Sequence, residues 1–238
     1  MPRSAYLRGM SDWIGIIEDQ TGARGWRFGS DSITPASGLS TDAVLAQLGN
    51  AEVFVITPAR ATQKVPAKLL PEGAFLDMTD GASRLAAPLR LQLLGFQDEH
   101  PDWDGVVLLL TETHSYWCFL SARELVGFQA FLTPRLIAAL DVPAQADADA
   151  IADTLSRPER LAAHLAASES QPDAQTGHLI GAEMGAARAW WLGQQVTVIG
   201  PAILAQSYAA GLSAQGVPCT HHDDPSARGL YVLRSAHT

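Results

Sequence analysis

Cysteine is scarce in this sequence: Cys118 and Cys219 are the two among 238 residues, far apart and without Cys-x-x-Cys spacing. That rules out a disulfide framework and a thiolate zinc site, and it points to a reducing cytoplasm. Basic residues are also few, 16 Lys and Arg against 25 Asp and Glu for a net charge of −9, and no stretch concentrates them. A nucleic-acid partner is not expected, because binding a phosphate backbone needs a basic face that releases counterions. Long apolar runs are missing too, and Val106–Leu110 is the longest beside a strand signal. A membrane-crossing helix needs ~20 such residues, so no membrane partner is expected. The opening Met-Pro-Arg-Ser leads into no secretory apolar region, since Arg8, Ser11 and Asp12 interrupt it.

What is present is a globular composition, 47% apolar with 17% charged residues. The length suits one large domain or two lobes of about 100–130 residues each. Trp13–Ile17 and Gly25–Phe28 read as two strands around a turn carrying Gly22, which makes a hairpin near the start. Ser40 caps a helix over Thr41–Leu48 that Gly49 stops, and Glu52–Thr57 reads as a strand. Residues 58–84 show no sustained period and read as irregular, with at most one short strand. Leu85–Phe96 has helical spacing, and the polar break Gln97–Gly105 sets the boundary between a lobe of residues 1–100 and one of 101–238.

A second hairpin, Val106–Leu110 with Tyr116–Leu120, opens the second lobe around Thr111–Ser115. Leu125–Phe131 follows as a strand and Pro134–Leu140 as a helix. Pro143–Ser156 is rich in Ala and Asp, Pro158–Ala167 and Gln175–Leu192 read as helical, and Val196–Gly200 as a strand. Ala202–Gln215 is a helix, Val217–Thr220 a strand, and Asp224–Ser235 a last helix. Alternating strands and helices predict an α/β fold whose second half is a mostly parallel sheet covered by helices. A hairpin at the head of each half suggests a duplicated ancestor.

This order is similar to that of the actin-like ATPases, in which each lobe opens with a β-hairpin whose turn grips nucleotide phosphates. More narrowly, the chain resembles the 2-keto-3-deoxygalactonate kinase family (2-dehydro-3-deoxygalactonokinases) over nearly its whole length. The family's Asp-Trp-Gly-Ser/Thr-Thr-Asn-x-Arg-x-Trp is matched by Ile17-Glu-Asp-Gln-Thr-Gly-Ala-Arg-Gly-Trp26, with Thr21, Arg24 and Trp26 in register. Ile17 stands where the family has the Asp that holds the metal's water shell, and Asp19 where it has a phosphate-approaching Gly. Its Pro-Gly-Thr-His-x-Lys-Trp is matched by Thr111-Glu-Thr-His-Ser-Tyr-Trp117, which keeps Thr113, His114 and Trp117. Glu112 replaces the Gly and Tyr116 the Lys, so a negative charge arrives and a positive one leaves. Two like charges at 4 Å repel by about 4 kcal/mol at an effective dielectric of 20, enough to weaken nucleotide binding several hundred-fold.

The family's Thr-Gly-Glu step aligns with Thr133-Pro-Arg135, and its Arg-Gly-Glu-Glu segment has no counterpart around Ala86–Leu91. His178-Leu-Ile-Gly-Ala-Glu183 is the best-preserved piece, followed by Val196–Gly200 and Ala205–Tyr208. Gly200 falls at the strand-to-helix turn that supports adenosine in this fold, and Gly229 at the family's late Gly.

The resemblance implies a two-lobed actin-like, ribonuclease H-like α/β fold. Its implied phosphate- or nucleotide-contacting residues are Thr21, Thr113, Gly200 and Gly229, and its implied substrate contacts are Arg24 and His114. Each has a plainer reading. A turn threonine bonds local backbone, an arginine leaving a turn sits on the surface, and His114 is a hydrogen-bonded structural histidine. His221-His222-Asp223-Asp224 carries metal-compatible groups, but neighbours along a strand point to opposite faces and no metal site is expected. Glu183 reads as structural, and Trp190 and Trp191 as core or as a contact in a homodimer.

Two function classes stay open, with a purely structural partner of an active paralogue as a third. One is an ATP- and Mg²⁺-dependent kinase acting on a small-molecule sugar acid, 2-keto-3-deoxygalactonate. Phosphoryl transfer there rests on positioning and charge neutralisation, and the metal anchor, the base and the positive charge are all missing at their expected positions. The other is a non-catalytic relative that binds a sugar acid or similar metabolite and uses no cofactor.

Overall fold

The computed structural model of the chain describes residues 12–19 and 22–237. In chain order the elements begin with β1 (Trp13–Asp19), β2 (Gly22–Phe28), β3 (Ile33–Gly38), α1 (Thr41–Leu48) and β4 (Glu52–Ile56). Next come β5 (Thr62–Lys64), β6 (Ala67–Lys68), β7 (Asp77–Thr79), β8 (Arg84–Leu85) and α2 (Ala87–Glu99). Then follow β9 (Gly105–Leu110), β10 (Ser115–Ser121), β11 (Glu124–Phe131), α3 (Thr133–Ala139), α4 (Ala148–Ser156), α5 (Leu161–Ala167) and α6 (Pro172–Ala186). The chain finishes with α7 (Arg188–Trp191), β12 (Val196–Ile199), α8 (Ala202–Ala214), β13 (Cys219–His222) and α9 (Ser226–Ala236). Among the described residues no helix is long and apolar enough to cross a membrane.

The chain divides into two compact units. The first runs through Lys64, adds Leu69–Pro101 and takes Pro225 onward; the second holds Val65–Lys68 and Asp102–Asp224. A split into residues 1–100 and 101–238 puts the last helix in the second lobe, but α9 packs on α2 of the first unit. Glycine makes that packing possible. A Cβ on Gly229 would enter the Leu91 carbonyl, and one on Gly95 would come within 2.8 Å of the Gly229 nitrogen.

In the first unit β1 and β2 form an antiparallel hairpin, β3 extends it, and β4 joins β1 in parallel, giving the order β3-β2-β1-β4. Alternation along β1 separates two faces. Ile14 and Ile16 pack with Ala23 against Val44 and Leu48 of α1, whereas Gly15 lies against Leu230 of α9. The Ser40 hydroxyl caps α1 by accepting from the Ala43 N–H at 3.3 Å.

Residues 58–84 are more ordered than their irregular sequence suggests. They form a three-stranded sheet β5-β7-β8 tied by the buried Asp77. Its Oδ1 accepts from the Ala59 and Ala87 N–H groups, each at 2.7 Å, and its Oδ2 from Arg84 Nε at 2.6 Å. One carboxylate thereby anchors a loop, a strand and the first turn of α2.

The second unit contains a six-stranded sheet, β13-β12-β9-β10-β11-β6. The expected mostly parallel sheet is half right: β13, β12 and β9 run parallel, while β10, β11 and β6 are antiparallel. The hairpin supplies the difference, since a tight turn can only reverse the chain. The stretch β11-β10-β9-β12 repeats β3-β2-β1-β4, a hairpin, a third antiparallel strand and then a parallel strand beside the first, so both units carry the hairpin-led topology of the actin-like fold. Val106, Leu108, Trp117 and Val198 face Ile151, Leu155, Ile180 and Met184 from α4 and α6. Here Gly177, Gly181 and Gly185 line one side of α6, and a Cβ at the first two would strike the Asp147 and Ile151 carbonyls of the α4 segment.

Candidate functional site

The β9–β10 turn, which the resemblance assigns to phosphate, is closed upon itself. The Thr111 hydroxyl accepts the backbone N–H of Thr113 at 3.2 Å and of His114 at 2.9 Å, and donates to the His114 carbonyl at 2.9 Å. The Thr111 N–H also donates to that carbonyl, at 2.8 Å. A turn that holds a phosphate must offer its N–H groups outward; two of them here are engaged by a hydroxyl that the family's proline does not have. Glu112 and Thr113 are exposed at the tip.

Thr113 and His114 pair with each other, Oγ1 to Nδ1 at 2.9 Å. Partial burial and the charge of nearby Arg135 push the His114 imidazole below its ordinary value, which keeps it neutral. Its ring stacks on Tyr116 at 5.6 Å. Tyr116, at the family's lysine position, is buried and supplies no charge; burial pushes its phenol up to about 12.

The preserved family residues assemble beneath this turn instead of around an opening. Glu183 on α6 is 3% exposed. Its Oε1 accepts from Ser115 Oγ at 2.7 Å and Trp117 Nε1 at 2.8 Å, its Oε2 accepts from the Tyr208 hydroxyl at 2.8 Å, and the Thr133 side chain also hydrogen-bonds it. Burial raises the carboxyl while these donors pull it down, and burial beside Glu183 raises the Tyr208 phenol well above its ordinary value. One side chain thus joins the start of β10, the start of α3, α6 and α8. Sequence reading picked out Glu183 as structural but missed this donor set, whose members lie 25 to 68 residues away in the chain.

In the first unit Ile17 is buried on β1, so the position of the family's metal-anchoring Asp carries no ligand. Thr21 lies outside the described residues. Asp19, Gly22, Arg24, Ser37 and Gly38 line a cavity of about 320 Å³ at the end of the hairpin. The Arg24 guanidinium also lies 5.9 Å from the Trp26 ring, and neighbouring Glu18 accepts from the Thr41 hydroxyl at 2.7 Å. Among the described residues, Arg24 alone of those expected falls on this cavity.

Gly200 sits at the β12–α8 turn with φ 151°, where a Cβ would come 2.6 Å from the Leu110 Cβ. Its lack of a side chain lets β12 leave the sheet beside β9. Gly229 is buried in the α2–α9 contact, which accounts for that glycine without a ligand. Trp191 is core, its indole donating to the Met184 carbonyl at 2.8 Å, and Trp190 bonds Gln129 Oε1 at 2.7 Å. Among the described residues no cluster of three or more His, Cys, Asp or Glu is placed to hold a metal.

Comparison with known proteins agrees with this architecture. Residues 144–233 match the family described as 2-keto-3-deoxy-galactonokinase. A candidate 2-dehydro-3-deoxygalactonokinase from Sinorhizobium meliloti superposes with a TM-score of 0.77 at 19% identity, covering 94% of this chain and 99% of that one. The activator of 2-hydroxyisocaproyl-CoA dehydratase from Clostridium difficile, with bound ADPNP, gives a TM-score of 0.57 at 13% identity over 95% and 96% of the two chains. Component A of the (R)-2-hydroxyglutaryl-CoA dehydratase from Acidaminococcus fermentans gives 0.51 at 12% identity, over 96% and 100%. No curated protein matches the chain in sequence. Residues 144–233 are thus similar in sequence to the 2-keto-3-deoxy-galactonokinase family, and the chain shares the actin-like ATPase and sugar-kinase fold over nearly its whole length.

Proposed function

We propose that this protein binds a sugar acid of the 2-keto-3-deoxygalactonate type without phosphorylating it. The observation that carries the reading is the Thr111 hydroxyl, which engages the two N–H groups that a nucleotide phosphate would need. Two further features point the same way: Ile17 is buried where a metal-anchoring carboxylate is required, and Glu112 is exposed at the tip of the turn. These residues do not fit ATP with its magnesium.

Arg24 supports the binding half of the reading. A guanidinium presents paired donors suited to a carboxylate, and the cavity it lines, about 320 Å³, is of the size that takes a small metabolite. The reading places the protein in the cytoplasm, where Cys118 and Cys219 remain free thiols. Asp19 on the same cavity favours the rival reading, an active kinase in which it replaces the lost metal anchor.

Calorimetry with ATP and Mg²⁺ separates the two, and thermal shift with a panel of aldonates and 2-keto acids tests the ligand class. Silence with nucleotide is expected. A matching acid at about 100 times its Kd stabilises by about 2.7 kcal/mol, a rise of several degrees that Arg24→Ala abolishes. Nucleotide binding together with a phosphorylated sugar-acid product would overturn the proposal.

A further inference from the structure

Three helices of the second unit meet at one hydroxyl. Thr154 of α4, fully buried, places its Oγ1 2.7 Å from Nδ1 of His164 on α5 and 2.8 Å from Nδ1 of His178 on α6. Both imidazoles are at most 9% exposed and their centroids are 4.8 Å apart. A threonine hydroxyl has a single proton, so in this bonded arrangement it donates to one Nδ1 and accepts from the other.

The surroundings decide which. The His178 ring also hydrogen-bonds the Ala150 backbone, and the Ala150 N–H is already taken by Asp147 Oδ1 at 2.8 Å, which leaves the carbonyl as acceptor. His178 thus carries its proton on Nε2 and receives the Thr154 O–H at Nδ1. His164 then donates from Nδ1 to Thr154 and turns Nε2 toward Asp153 Oδ2, 3.5 Å away. The charged groups acting on His178 are His164 from α5, Asp153 from α4 and Asp147 at the α4 N-cap.

We infer that His164, Thr154 and His178 form a pH-sensitive clasp that loosens α4, α5 and α6 when a proton enters His178. That proton places an N–H where His178 accepts the Thr154 O–H and sets a cation in a buried pocket. Burial and the neighbouring His164 both hold the His178 imidazole below its ordinary value. The sign follows: the unfolded chain binds the proton more readily, so stability is full above the ordinary histidine range and falls as pH drops through it.

Two measurements on the full chain test this. In the wild type, NMR titration is expected to show His178 as the Nε2–H tautomer, taking up its proton below the ordinary histidine range. Amide exchange in α4–α6 is expected to quicken at least tenfold as it does so. In His178→Asn, whose amide oxygen accepts from Thr154 without titrating, the wild-type fall in Tm between pH 7.5 and 5.5, about 4 °C or more, shrinks to less than half. Protonation of His178 with unchanged exchange, an Nδ1–H tautomer at His178, or the same Tm fall in the variant would overturn the clasp.

Discussion

Replacing Glu183 separates a hydrogen-bond hub from a mere buried acid. Its two oxygens satisfy Ser115, Trp117, Tyr208 and Thr133 inside the second unit. Glu183→Ala strands all four donors. At about 1 kcal/mol or more for each unsatisfied buried group the loss approaches 4 kcal/mol, and relief from burying a carboxylate returns part of it. We expect a net cost of about 3 kcal/mol, a large share of the 5–15 kcal/mol by which domains are typically stable. Glu183→Gln is far milder, about 1 kcal/mol, for a geometric reason. Its amide oxygen can stay on Ser115 and Trp117, where the indole can only donate, while its NH₂ meets the Tyr208 and Thr133 hydroxyls, which can rotate to accept.

The two variants also differ with pH. Burial raises the Glu183 carboxyl, so the folded chain holds that proton longer than the unfolded one. Its contribution favours folding at low pH and weakens as pH rises through the raised value; in the glutamine variant this component is absent. Urea unfolding followed by tryptophan fluorescence, repeated across pH, reads both effects. Equal costs for the two substitutions, or a cost below about 1 kcal/mol for alanine, would refute the hub.

Other expectations follow from the packing. Asp77→Ala should cost the first unit about 3 kcal/mol by leaving two N–H groups and Arg84 without their acceptor, whereas Asp77→Asn keeps the Oδ1 contacts and should cost about 1 kcal/mol by chemical denaturation. Gly229→Ala drives a methyl into the Leu91 carbonyl and should cost about 3 kcal/mol; Gly73→Ala, with nothing within 4 Å, should leave the melting temperature unchanged. Burial pushes the Cys219 thiol from 9.0 up to about 11. A disulfide reagent at pH 7.5 should therefore modify it about tenfold more slowly than an unshifted thiol, the scarcer thiolate being partly offset by its greater nucleophilicity, with the rate rising about tenfold per pH unit.

Local patterns carried the hairpins and α1 into view: Ser40 and Gly49 bound the helix at the residues where the structure caps and stops it. Strand β3 escaped because Ile33–Gly38 reads as turn residues around Pro35, a composition an edge strand tolerates. The order in residues 58–84 escaped for another reason, since it hangs on Asp77 reaching Ala59 and Ala87 across 18 and 10 positions. At the candidate site, motif comparison found the altered residues at the two turns. It could not show that Thr111 closes its own turn, a matter of hydroxyl geometry, nor that Glu183 gathers donors from three other elements.

The return of α9 to the first unit bears on the order of events during synthesis. The ribosome delivers every residue of the second unit before Gly229 and Leu230 exist to cover Gly95 and Gly15. The amino-terminal half therefore completes the cover over its sheet only after the second unit has been made. Domain-by-domain folding during synthesis thus leaves the first unit without its last helix for the whole interval in which the second unit is made.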